Sequence, residues 1–166
     1  ISNDIVYNIN YSLCTIFGNN DDINLYFDEG TLATSIDGEA RKRYDFIDSG
    51  GKRNLGIDIT LNSLLSNSSN EFAVSTIIHE ALHAYFIYRN SLDALDHTLM
   101  AEQYISWYKL IMKSAFPNID NDTNTALAWG GLGETSGWAA KSDIEKNHIV
   151  GINNEHKAGT TGQTCP

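Results

Sequence analysis

His79-Glu80-Ala81-Leu82-His83 sets two imidazoles four residues apart, with a carboxylate beside the first. Residues four apart on a helix share a face, so both rings can be aimed at one metal ion. Glu80 stands about 100° further round the helix. From there it can reach a water beside the metal without ligating the metal. Zinc brings the pKa of such a water near neutral, and the carboxylate takes its proton as attack begins. The expected chemistry is zinc-assisted hydrolysis with Glu80 as general base.

The neighbouring residues separate this motif from a chance match. Between Phe72 and Tyr88 the chain is apolar nearly all round: Ile78, Leu82 and Phe86 cover one side, and Val74, Ile77, Ala81 and Tyr85 much of the other. A helix apolar on all sides is buried. Buried imidazoles and a buried carboxylate are costly unless something satisfies them, and a metal does. A catalytic zinc takes three protein ligands and keeps one position open. Asp93, Asp96, His97 and Glu102 follow within reach along the chain. Counting about 100° per residue from His97, Met100, Tyr104, Tyr108 and Ile111 fall within about 60° of it and Glu102 about 140° away. His97 is therefore the preferred third ligand. Glu102 and the two aspartates stay as candidates, Glu102 because one group of zinc aminopeptidases uses a glutamate at this spacing.

The elements that must position these residues change character along the chain. Alternation predicts a strand at Ile5–Tyr11; Ile23–Asp28 and Thr31–Ile36 are further candidates separated by a Glu29-Gly30 turn, and Arg41–Asp48 and Asn54–Leu61 flank a hairpin turn at Ser49–Lys52. Ser68 and Glu71 read as a capping box opening a helix that runs to about Arg89. A second helix is expected from His97 to Phe116, stopped by Pro117. Shorter helices are expected at Thr123–Trp129 and Thr135–Ala140, the last continuing through Ser142–His148, with His148 and His156 solvated and a mobile tail at 159–166. The fold class is α+β: a small mixed sheet in the N-terminal part, packed on the buried HExxH helix, and a helical C-terminal part, all in a single domain of residues 1–166.

The text HEALHAYF at His79–Phe86, followed by HTLM at His97–Met100 with thirteen residues between His83 and His97, resembles the SprT-like (Spartan-like) branch of the zincin metallopeptidases. Thr98 stands where that branch commonly has glycine. The resemblance spans about Ile57 to Tyr108. It implies a zincin-like peptidase domain with one catalytic zinc held by His79, His83 and His97. It also implies a cleft strand that pairs with extended peptide, for which Gly56–Leu61 is the candidate. The DNA-linked members carry basic segments or a zinc ribbon, and this chain has neither.

Bulk properties narrow the partners. With 21 acidic and 11 basic side chains the net charge is −10, which disfavours nucleic acid. No apolar run approaches the roughly 18 residues of a membrane span. Starting at Ile1 without Met, the chain reads as a processed or shortened protein. Cys14 and Cys165 could pair in an oxidising compartment. That pairing, the asparagine richness and the negative charge favour an extracytoplasmic setting. The leading function is hydrolysis of protein or peptide substrates. The alternatives are an aminopeptidase with Glu102 as ligand, and a zincin-fold binding domain without turnover.

Overall fold

The computed structural model describes residue 17, residues 22–89 and residues 97–164. Within them the chain is mixed α and β, with a three-stranded sheet early and helices after it. The expected strand at Ile5–Tyr11, both cysteines, Asp93 and Asp96 lie outside the described residues. The described residues form two compact units, one of residues 17, 22–64 and 76–89, the other of residues 65–75 and 97–164.

The first unit holds β1 (Ile23–Gly30), β2 (Gly38–Ile47) and β3 (Arg53–Asn62), in the order β1-β3-β2. β1 runs parallel to β3 and β2 antiparallel to it. The hairpin turn falls where the glycines predict. The Asp48 carboxylate accepts from the N–H of Gly50 at 2.8 Å and of Lys52 at 3.0 Å, and Gly51 takes φ +82°. Thr31–Ile36 is not a strand. β3 is paired on both sides, so the chain leaving β1 must cross the end of β3 to reach β2. Asn62 holds that crossing: its Nδ2 donates to Ala33 O at 3.1 Å and Ile36 O at 2.7 Å, and its backbone N–H to Asp37 O at 2.9 Å. The same topology overturns the expectation for Gly56–Leu61. These residues sit in the central strand, where β1 and β2 already use their backbone groups, so no substrate can pair there. Among the described residues the outer edges of the sheet belong to β1 and β2.

Leu55, Ile57 and Ile59 alternate along β3 onto one face and are fully buried, and Ala40, opposite Ile59, shares that face. α1 (Asn70–Tyr88) lies on it, antiparallel to β3. Gly38, which opens β2 opposite the end of β3, meets the side chains of Thr76 and Glu80, while Arg53, at the start of β3, donates from Nη1 to Tyr88 O at 2.8 Å. Arg53 also grips Asp45 through two bonds of 3.0 and 2.9 Å. That bond holds the Asp45 carboxyl below its usual value, and it fixes a cation where the last helical carbonyls need one. α1 is buried on nearly every side, as its apolar composition predicts.

In the second unit the start of α1 is capped one residue later than expected. Ser69 Oγ accepts from Phe72 N–H at 3.1 Å, while Ser68 Oγ donates to Leu65 O at 2.7 Å. Glu71 does not close a capping box; its carboxylate accepts from Gln163 N–H at 3.0 Å, and Asn70 N–H donates to Gln163 O at 2.6 Å. α2 (His97–Leu99) passes through a π-helical turn at Met100–Tyr104 into α3 (Ile105–Ala115), which stops before Pro117. α4 (Asn121–Ala128), α5 (Ser136–Ala139) and α6 (Asp143–Lys157) follow. α6 opens on a complete capping box of Ser142 and Glu145 and runs well past His148. Its inner face is Ile149, Asn153 and His156, spaced i, i+4, i+7 in otherwise polar text. His156 is thus buried, with Nδ1 2.8 Å from Ser69 Oγ, against the expectation that it is solvated. His148 is exposed, as expected.

Asp120 caps α4, accepting from the N–H groups of Asp122 and Thr123 at 2.9 Å each. The bonds from Thr123 hold its carboxyl below its usual value. A carboxyl lowered in the folded state stabilises it above the unfolded pKa and loses that contribution as pH falls through the folded one. Asp120→Ala is expected to cost about 1 kcal/mol at pH 7 in urea unfolding. The difference from wild type is expected to shrink as the pH drops below the ordinary carboxylate range. An equal cost at all pH values would contradict this account of the cap.

Candidate metal centre

α1 sets His79 and His83 one turn apart, with their Nε2 atoms 3.1 Å from each other and their rings edge to face at 4.8 Å. His83 is 5% exposed and His79 half-buried. His97, the first residue of α2, completes a cluster: one ligand atom from each of His79, His83 and His97 lies within 4.8 Å of the others. Among the described residues this is the one group of three His, Cys, Asp or Glu side chains close enough to hold a metal ion.

The donor set fits a transition-metal ion of the zinc type. Nitrogens at about 2.0–2.1 Å from one tetrahedral zinc stand about 3.3–3.4 Å apart, close to the spacing of His79 and His83. Three neutral imidazoles suit zinc, and hard cations such as magnesium or calcium take oxygen ligands instead.

Glu102 is outside the cluster. It is exposed, and its Oε1 lies 3.5 Å from Ser136 Oγ. The phase expected of His97 holds only in an unbroken α-helix, and a π turn takes one more residue to close than an α turn. The Met100–Tyr104 turn therefore shifts Tyr108 and Ile111 out of phase with His97, although both are buried as expected. Tyr108 is a packing residue. Its hydroxyl donates to Ser75 O and lies 2.7 Å from Ser75 Oγ.

Glu80 is 5% exposed, on the sheet side of α1. Burial first, then the carboxylates of Glu39 and Asp37, push its carboxyl up to about 7, against the opposing hydrogen bond from the Ala40 N–H. The sequence reading missed this surround, because it began the strand at Arg41. Gly38 and Ala40, two small residues at alternate positions, were the available sign that another element approaches closely there.

No protein-family profile, no curated protein and no solved structure matches the chain. No helix among the described residues is long and apolar enough to cross a membrane.

Metal analysis is expected to find about one zinc per chain, lost when His79 and His83 are both changed to Ala. His97→Ala is expected to weaken zinc binding more than the roughly 10–100-fold that loss of an outer-shell partner costs. Glu102→Ala is expected to leave it unchanged. A reversal, with His97→Ala keeping the metal and Glu102→Ala losing it, would overturn the ligand set.

Proposed function

We propose that this chain is a zinc-dependent peptidase with a zincin-like active site, akin to the SprT-like branch. The observation that carries the reading is the convergence of His79, His83 and His97 beside a buried carboxylate on the same helix. His79, His83 and His97 would hold the ion, leaving a fourth position open. When bound, zinc supplies a Lewis acid that polarises a carbonyl and makes water nucleophilic at neutral pH.

The chain's own residues supply the rest. A carboxylate oxygen of Glu80 takes the proton of the attacking water and returns it to the leaving amine. Ala40 N–H steadies that carboxylate. Among the described residues no further strand pairs with the outer edge of β2, and that edge borders Glu80, which supports an extended peptide as substrate. Pairing of that kind uses backbone groups and carries little sequence preference. The aminopeptidase alternative loses its support with the exposure of Glu102.

The test is hydrolysis of a generic unfolded protein such as casein, abolished by chelator and restored by zinc. Glu80→Gln is expected to keep the metal and to lower kcat by roughly 10²–10⁴-fold, the usual share of a general base. Wild-type turnover in that variant would remove Glu80 from the mechanism. Absence of any chelator-sensitive hydrolysis, with zinc bound, would leave a binding domain.

A further inference from the structure

The start of β2 is built from residues with almost no side chain. Gly38 and Ala40 are alternate residues, so both face α1. A Cβ added at Gly38 would lie 2.7 Å from Glu80 Cγ, 3.1 Å from Glu80 Cδ and 3.0 Å from Thr76 Cγ2. Carbon atoms in contact prefer about 3.5–4.0 Å, so Glu80 would have to move. The backbone at Gly38 is not left-handed, so only space excludes a side chain there. Two residues on, the Ala40 N–H donates to the Glu80 carboxylate. Ala40 is 8% exposed, which keeps this bond out of competing water.

We infer that Gly38 is a positioning residue for the general base: its missing side chain is the space in which the Glu80 side chain lies while its carboxylate accepts the Ala40 N–H. The inference rests on Glu80 acting as the base of a zinc peptidase. The strand edge thus aims a carboxylate whose own helix leaves it three side-chain torsions of freedom. A displacement of about 1 Å can cost about 10²-fold in rate. Gly38 thereby acts on the reaction without touching substrate or metal.

Three measurements on Gly38→Ala test this. Zinc affinity, read by competition with a chromophoric chelator, is expected to stay near wild type, because His79, His83 and His97 are untouched. Hydrolysis of a quenched fluorescent peptide found by screening with wild type is expected to show kcat lowered by about 100-fold with KM little changed. Thermal unfolding of the metal-free protein is expected to show a lower Tm for Gly38→Ala. In a Glu80→Ala background, where Cγ and Cδ are gone, the same substitution is expected to lose most of that effect. Wild-type kcat in Gly38→Ala overturns the inference. So does an equal Tm loss in both backgrounds, since the added methyl would then be colliding with something else. If wild type hydrolyses nothing, the peptidase reading fails by itself. The Tm comparison still decides whether Gly38 makes room for Glu80.

Discussion

A helix buried on nearly every side cannot carry ionisable groups without partners for them. In α1 this constraint outweighs every other. Burying Ile78, Leu82 and Phe86 gains about 1.5–3 kcal/mol each. An ionised carboxylate taken into the same surroundings alone would cost more than that gain, so it gives up its charge or finds a donor. Glu80 does some of both. Its carboxyl is raised to about 7, and the Ala40 N–H partly offsets the rise. His79 and His83 answer the constraint by facing each other at 3.1 Å, an arrangement that a shared cation would complete.

The rest of the sheet unit serves to hold that helix in one register. Arg53 fastens its last turn through Tyr88 O while bound to Asp45. Gly38 and Ala40 meet it at Thr76 and Glu80, two turns and more away. With β3 central and buried, its face offers α1 a continuous apolar bed of Leu55, Ile57 and Ile59. An apolar bed does not fix rotation or sliding. The polar fastenings at the two ends do, and they set which way each functional side chain points.

Much of this was legible in the sequence. The buried helix followed from apolar residues on all its faces, and the hairpin from Ser49-Gly50-Gly51-Lys52. His97 was preferred over Glu102, and the cluster contains His97. Apart from the local π turn at Met100–Tyr104, the failures share a cause: each depended on a partner distant in the chain. Thr31–Ile36, set off by the Glu29-Gly30 turn, reads as a strand until one knows that β3 has no free edge. Gly56–Leu61, the cleft strand that the resemblance implies, fails for the same reason. His156 sits in polar text, and only Ser69 explains its burial. The Glu80 surround on β2 had only a faint local sign, the small residues Gly38 and Ala40, and nothing in Asp37-Gly38-Glu39-Ala40 says that the approaching element is a helix forty residues on.

The wide turn at Met100–Tyr104 gives the chain a piece of mechanical independence. In a continuous α-helix, the direction of the first residue dictates that of every later one. A turn holding one extra residue breaks that link, so His97 and the core-facing Tyr108 need not answer to a single rotation. Deleting one residue inside the turn would restore an unbroken spiral. Everything after it would swing by about 100° relative to His97. Either the imidazole or the hydroxyl seated on Ser75 would then lose its place. The chain therefore tolerates side-chain replacement within the turn far better than a change in its length.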